Sequence, residues 1–113
     1  YHITHNRFHS SNNLFLFLDY NKVQALGTTK DVLDLEPLVQ KWQAFGWKTV
    51  EVDGHNTSAI ISAWLNNTTN SGPTIFICHT IRGKGVSFME HVIDWHYKNP
   101  DEKDLKKSLE ELI

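Results

Sequence analysis

Three apolar runs of strand length lie along the chain, and segments with helical spacing separate them. The runs cover residues 14–19, 47–53 and 73–80. The first and third are almost continuously apolar, which is typical of parallel strands that are covered on both faces. The first run ends abruptly at Asp19-Tyr20-Asn21. A polar cluster in that place either turns the chain or delivers ligands to a site.

The first helix is predicted between the first two runs. Asp34 is its expected N-cap, Pro37 lies in its first turn and Gly46 is its expected C′ residue. Its apolar residues recur at helical spacing and should face inward together: Leu35, Leu38, Val39, Trp42 and Phe45.

Two further helices are predicted over residues 58–65 and 101–113. Asn56 or Thr57 caps the earlier one, whose inward residues are Ala59, Ile60, Ala63 and Trp64. The later one carries an apolar stripe formed by Leu105, Leu109 and Leu112. The order of elements predicts an α/β fold with a parallel sheet, right-handed crossovers and helices on both faces. Because three strands are few for such a sheet, we expect part of it to lie outside this sequence.

The composition is that of an ordinary globular domain. Of the 113 residues, 40% are apolar and 21% are charged, which argues against disorder. A formal net charge of −2 gives no electrostatic reason to expect nucleic acid or an anionic membrane as partner. Cys78 is the single cysteine and lies in an apolar run, which favours a reducing cytoplasm. Since residue 1 is Tyr rather than Met, we expect a truncated N-terminus.

Polar residues follow each predicted strand. They are Asp19-Tyr20-Asn21, Asp53-Gly54-His55 and the segment of residues 79–85. In open α/β sheets, ligands bind outside the carboxyl ends of the strands. These three clusters should therefore converge on one edge of the sheet.

Two of these clusters have the chemistry of a metal and phosphate site. An Asn amide oxygen and a main-chain carbonyl two residues later are hard neutral ligands that suit Mg²⁺ or Ca²⁺. The sequence Arg82-Gly83-Lys84-Gly85 can offer backbone N–H groups and cations to a diphosphate. An Asn after a strand is also common as a simple turn residue, and such a basic loop is often only solvated.

The segments DYNKVQALGTT, LEPLVQKWQAFGWKTVEVDGHN, PTIFICHTIRGKGVSFME and the pair WH resemble the second half of the diphosphate-binding domain of transketolase. The resemblance runs from about Leu14 to the end and keeps order and spacing. It implies a partial thiamine-diphosphate-binding fold over residues 14–113. Residues 1–13 would form the polar tail of a truncated helix.

The resemblance also implies a cofactor, thiamine diphosphate, that is held through Mg²⁺. The family's metal-binding Asn and its following backbone carbonyl correspond to Asn21 and Val23. The family's basic residue near the cofactor corresponds to Arg82, where lysine is usual, and Lys84 is expected to face solvent. His96 corresponds to a family histidine near the diphosphate and the substrate hydroxyls, with a binding and catalytic role.

Several other polar residues receive structural interpretations. Asp19 is expected to order its turn by hydrogen bonds rather than to bind metal. His79 is interpreted as a hydrogen-bonded edge residue and His55 as part of a turn. Tyr97 replaces a glycine that is usual after the family's histidine, and its side chain would narrow the approach to His96.

The amino-terminal histidines allow another hypothesis. His2, His5 and His9 could share a helix face and suggest zinc, with a frayed polar helix end as the simpler interpretation. A metal assay on the purified chain would distinguish the two.

The resemblance implies an enzyme that moves a two-carbon ketol (glycolaldehyde) unit between sugar phosphates in the pentose phosphate pathway. The family's Gly-Asp-Gly metal motif would lie upstream of Tyr1, and a pyrimidine-binding half would come from a separate subunit or a missing remainder. We therefore expect the isolated chain to be inactive and the complete protein to be a dimer of active units.

Two alternatives remain open. One is another thiamine-diphosphate enzyme, such as a deoxyxylulose-phosphate synthase or a ketoacid dehydrogenase component. The other is a non-catalytic remnant that serves as a subunit-binding module through its exposed sheet edge.

Overall fold

The computed structural model describes residues 13–67 and 72–113. The predicted polar tail lies outside these residues except for position 13. The zinc hypothesis concerns His2, His5 and His9, which also lie outside them. The described chain divides into two compact units. Among the described residues, unit 1 comprises 13–20, 35–67 and 72–80, and unit 2 comprises 21–34 and 81–113.

The described elements are five strands, four α-helices and one 3₁₀ helix. The strands are β1 (Phe15–Tyr20), β2 (Val23–Gln24), β3 (Gly27–Thr28), β4 (Lys48–Asp53) and β5 (Thr74–His79). The α-helices are α1 (Thr29–Val32), α2 (Leu38–Ala44), α3 (Thr57–Asn67) and α4 (Glu102–Leu112), and the 3₁₀ helix is Ile93–His96. None of the helices in the described residues is long and apolar enough to span a membrane.

Unit 1 is built on a parallel sheet with the strand order β1-β5-β4. The three predicted strands are confirmed, with ends that differ by one residue at most. Alternate residues of β5 are buried on opposite faces of the sheet. Ile75 and Ile77 pack with α2, whereas Phe76 and Cys78 pack with α3. The expected helices on both faces are therefore present.

Helix α2 begins later than the sequence predicts. Pro37 is its N-cap, so the prediction of Asp34 as the cap is wrong. The carboxylate of Glu36 replaces it, because its Oε2 accepts the N–H of Leu38 at 2.9 Å. The other oxygen of Glu36 accepts the hydroxyl of Tyr20 at 2.8 Å and so ties the start of the helix to β1.

The end of α2 is partly as predicted. Gly46 has φ +82°, which agrees with its prediction as the C′ residue. Phe45 is 42% exposed, so its predicted inward position is wrong. It lies at the C-cap, where the chain leaves the helix, and the helical spacing no longer determines its direction.

Helix α3 confirms the predicted inward face. Ala59, Ile60, Ala63 and Trp64 pack against the cluster that contains Phe76. Asn56 supplies the cap, since its Oδ1 accepts the N–H of Ala59 at 3.0 Å. The helix runs two residues beyond the predicted end at position 65.

Unit 2 contains the hairpin β2–β3, the short helix α1, the 3₁₀ helix and α4. Asp101 and Asp104 form a capping box at the start of α4. The predicted stripe of this helix is present in the sequence but is not buried, with Leu105 54%, Leu109 52% and Leu112 60% exposed.

Candidate functional site

The parallel strands of unit 1 end together at one edge. Tyr20 pairs with His79 across β1 and β5, and Asp53 pairs with His79 across β4 and β5. The carboxylate of Asp19 accepts a hydrogen bond from the hydroxyl of Thr80. Asp19 thus makes a hydrogen bond as expected, although its partner lies after the neighbouring strand rather than within its own turn.

The two histidines at this edge have structural partners. His79 Nε2 lies 2.9 Å from Glu51 Oε2, which agrees with its interpretation as a hydrogen-bonded edge residue. The N–H of His55 donates to Asp53 Oδ1 at 2.9 Å within a tight turn. Gly54 approaches β5 closely, with its N–H 2.8 Å from the carbonyl of His79, and a side chain there would collide with Thr80.

Asn21 begins unit 2 directly after β1. Its Oδ1 accepts the N–H of Val23 at 2.9 Å. Between them Lys22 has φ +61°, a left-handed conformation that lets the amide side chain fold back on the chain. A carbonyl oxygen has two acceptor positions. The bond to Val23 therefore fixes the amide oxygen of Asn21 and leaves it a second position for a ligand.

The carbonyl of Val23 faces the same side as Asn21. The N–H of Thr29 donates to the carbonyl of Lys22 at 2.9 Å, so Lys22 and Thr29 face each other across the hairpin. Hydrogen-bonded pairs alternate with non-bonded pairs in an antiparallel ladder. The pair Val23–Thr28 is therefore non-bonded. Both polar backbone groups of Val23 point away from β3, toward the side where Asn21 Oδ1 is held.

This donor pair fits a hard divalent cation. An amide oxygen and a main-chain carbonyl are the neutral oxygen ligands that Mg²⁺ and Ca²⁺ accept. Among residues 13–67 and 72–113, no group of three or more His, Cys, Asp or Glu side chains could hold a metal ion. A cation on Asn21 and Val23 would thus complete its shell with oxygens from water, a diphosphate or other protein groups.

The basic loop after β5 is tightly turned. Gly83 has φ +74°, and a side chain there would lie 2.7 Å from the backbone of Met89, so glycine is required. Arg82 donates from Nη2 to the carbonyl of Trp95 at 3.1 Å, and its own carbonyl accepts the N–H of His91. Lys84 is half-exposed, with Nζ 3.8 Å from Glu90 Oε1. That exposure agrees with the prediction that Lys84 faces solvent.

His96 closes the 3₁₀ helix. Its Nε2 is buried and has no hydrogen-bond partner among the described residues. A buried imidazole nitrogen without a partner is costly, so a ligand group that bonds to it would be favoured. Tyr97 is 72% exposed, and its hydroxyl lies 3.5 Å from the carbonyl of Ala25 in the turn of the β2–β3 hairpin.

The loop that carries Arg82 and His96 is held by α4. Glu111 accepts hydrogen bonds from both the backbone N–H and the hydroxyl of Ser87. These bonds, the backbone bond first, lower the pKa of Glu111. Lys107 Nζ lies 4.7 Å from the ring centre of Phe88, and Lys98 Nζ lies 3.4 Å from Asp104.

All four residues singled out from the sequence lie in unit 2. Arg82 bonds to the carbonyl of Trp95, the residue that directly precedes His96, whereas Asn21 and Val23 share the hairpin segment. The contacts of Trp95 and Glu111 were missed by the sequence reasoning. The sequence shows that Trp95 is next to His96, but no spacing rule predicts the hydrogen-bond partners of its indole N–H and its carbonyl.

Comparison with known proteins identifies the family. The family model described as "Transketolase, thiamine diphosphate binding domain" matches residues 7–112. The chain belongs to the transketolase family. As a thiamine-diphosphate-binding domain of that family it has the α/β fold that its sequence predicts.

Curated relatives in this family are considerably longer. A 6-deoxy-6-sulfo-D-fructose transketolase subunit from a Clostridium species is 42% identical over 101 residues, which are 88% of this chain and 37% of that protein. An apulose-4-phosphate transketolase subunit from Phocaeicola vulgatus is 37% identical over 101 residues, 88% of this chain and 36% of that protein. The chain thus spans about a third of the length of these relatives.

A solved transketolase structure supports the fold. The transketolase from Campylobacter jejuni superposes with a TM-score of 0.88 at 22% identity, covering 97% of this chain and 17% of that one. At this identity the likeness concerns the fold alone.

Proposed function

We propose that this chain is the diphosphate-binding part of a transketolase, which transfers a two-carbon ketol (glycolaldehyde) unit between sugar phosphates with thiamine diphosphate and Mg²⁺. The observation that carries the proposal is the hairpin geometry. Asn21 Oδ1 and the carbonyl of Val23 face one side in a chain that belongs to a thiamine-diphosphate-binding family.

In this proposal Asn21 and Val23 bind the metal. The hydrogen bond from the Val23 N–H holds the amide oxygen in place before a cation arrives. A donor that is already fixed loses little conformational freedom on binding, which favours affinity. The remaining ligands would be diphosphate oxygens, water and a carboxylate from another part of the protein.

Arg82 binds the diphosphate in this scheme. The bond from Nη2 to Trp95 uses one of the five N–H donors of the guanidinium. The planar fork suits two phosphate oxygens at once, which a lysine at this position would not offer.

His96 is assigned the catalytic role. Its buried Nε2 would bond to a diphosphate oxygen or a substrate hydroxyl, and an imidazole in that place can take part in a proton transfer. Thiamine diphosphate, when bound, supplies the chemistry that breaks and forms the carbon–carbon bond. The residues of this chain bind and orient the reacting groups.

The proposal includes a partner and a setting. Two relatives are named as transketolase subunits, and we infer that a pyrimidine-binding half completes the active unit here, with two units in a dimer. The relatives named for apulose-4-phosphate and 6-deoxy-6-sulfo-D-fructose favour an anionic sugar as substrate.

A free buried thiol at Cys78, whose pKa is raised by burial and then by Asp19, suits a reducing cytoplasm.

The test is the substitution Asn21→Ala in the complete protein assembled with its pyrimidine-binding half. Calorimetry should show that Mg²⁺-dependent binding of thiamine diphosphate weakens by at least about tenfold, since a metal ligand is lost. Asn56→Ala is the matched control, because Asn56 Oδ1 also accepts a backbone N–H. It should leave the affinity unchanged.

Ketol transfer from a ketose phosphate to an aldose phosphate is then measured on the same proteins. Wild-type affinity in Asn21→Ala would refute the metal site. An assembly that binds no thiamine diphosphate at all would favour the non-catalytic subunit-binding module instead.

A further inference from the structure

Trp95 adjoins both residues that are proposed to face the cofactor and the substrate. Its carbonyl accepts the bond from Arg82 Nη2 at 3.1 Å, and the next residue in the chain is His96. A change in the position of Trp95 would therefore move both groups together.

Three contacts hold the Trp95 side chain. Its indole Nε1 donates to the carbonyl of Phe88 at 3.2 Å. Its ring centre lies 5.6 Å from that of Phe88 at an interplanar angle of 60°. Lys98 Nζ lies 4.4 Å above the ring, within cation–π range. The hydrogen bond of the indole N–H, the tilted contact with Phe88 and the cation over the ring together restrain both its position and its tilt.

Phe88 is itself anchored. Lys107 lies against its ring, and the preceding residue Ser87 is bonded through its N–H and hydroxyl to Glu111. Helix α4 thus holds Phe88, and Phe88 holds the indole. The contacts run through one unit of the molecule and end at Arg82 and His96.

We propose that Trp95 is a positioning residue that sets Arg82 and His96 in one arrangement for the diphosphate and the substrate. The inference rests on the proposed function of those two residues. Because the indole fixes the main chain at position 95, it also fixes the carbonyl that orients the guanidinium. The same segment also positions the imidazole, because His96 is the next residue of the 3₁₀ helix.

The test compares Trp95→Phe with Trp42→Phe in the complete assembly. Trp95→Phe keeps an aromatic ring but removes the indole N–H. Trp42 is a matched control, since it is also half-buried and also pairs with an aromatic ring, Trp47, at 5.1 Å in unit 1.

We expect Trp95→Phe to raise the Kd for Mg²⁺–thiamine diphosphate about fivefold, the change that follows from losing one neutral hydrogen bond. Trp42→Phe should lower the midpoint of thermal unfolding at least as much and leave that Kd within twofold. A merely structural role for Trp95 would give the two variants the same pattern, and that result overturns the proposal.

Arg82→Ala and His96→Asn separate this inference from the proposed function. If either weakens cofactor or substrate binding while Trp95→Phe does not, the positioning role is refuted and the proposed function stands. If neither has an effect, both fall.

A measurement on the unaltered chain covers the case in which Trp95→Phe does not fold. Hydrogen exchange of the Trp95 indole N–H, followed by NMR, should be at least tenfold slower than in a free tryptophan side chain. Exchange at the free rate would mean that the indole is not anchored to Phe88, and the proposal would fail.

Discussion

Helices α3 and α4 are both eleven residues long, yet they turn opposite kinds of side chain toward the rest of their units. Helix α3 buries apolar residues against β5. Helix α4 contacts its unit through polar residues, above all Glu111 and Lys107, while its leucines are more than half exposed. The comparison shows that apolar spacing predicts a helix well but does not say which face meets the protein.

The two helices also differ in what their contacts contribute to the structure. Polar contacts at a surface contribute little free energy each but fix orientation, whereas apolar burial contributes more and is not directional. Helix α3 is thus a stabilising element of unit 1. Helix α4 is an orienting element for the loop of unit 2 that carries Arg82 and His96.

The largest expected difference comes from truncating an apolar residue in each helix. Trp64→Ala in α3 should lower the free energy of unfolding by about 3 kcal/mol, because the ring contacts Phe15, Phe17 and Phe76. Leu109→Ala in α4 should change it by less than about 0.5 kcal/mol, since that side chain is exposed. Urea unfolding measures both, and equal losses would contradict the contrast.

Removing the N-cap should destabilise the protein by a similar amount whichever of the two helices loses it. Asn56→Ala and Asp101→Ala each remove a side chain that accepts backbone N–H groups at a helix start. Each should lower the free energy of unfolding by about 1 kcal/mol, since both helix starts lose an N-cap of the same kind. Urea unfolding of the two variants side by side tests this. A lower free energy of unfolding in only one variant would show that the two N-caps do not contribute alike.

The smallest expected effect concerns the pH dependence of α4. Hydrogen bonds from Ser87 lower the pKa of Glu111 in the folded chain below 4.5, its ordinary value. The ionised form is thus favoured on folding, so its stabilisation is full above pH 4.5 and is lost as the pH falls through the lowered pKa. Thermal unfolding between pH 3 and pH 7 should show a shallower pH dependence in Glu111→Gln. An unchanged slope would mean that the Ser87 bonds do not form in solution.

Much of unit 1 could be predicted from the sequence because its elements are long and regular. The three strands have the continuous apolar pattern of a covered parallel sheet, and α3 has its inward face where the spacing places it. The start of α2 was missed because Glu36 assumes the capping role next to Pro37, a contact that depends on the side chain of Tyr20.

Unit 2 was less predictable for physical reasons. Strands β2 and β3 have two residues each, too few for any alternation to appear. The bond between Ser87 and Glu111 joins residues 24 positions apart, and no local pattern indicates it. Asn21 and Val23 were singled out only because their spacing matched both a metal chemistry and a family resemblance.

The orientation of the Val23 carbonyl has a consequence for how this site can be studied. If that carbonyl is a metal ligand, alanine scanning will pass over it, because replacing the side chain leaves the main-chain oxygen in place. Homologous sequences can likewise vary at this position without changing the donor. Only a change to the backbone itself, such as an amide-to-ester replacement introduced by semisynthesis, would weaken the oxygen as a donor and reveal its contribution.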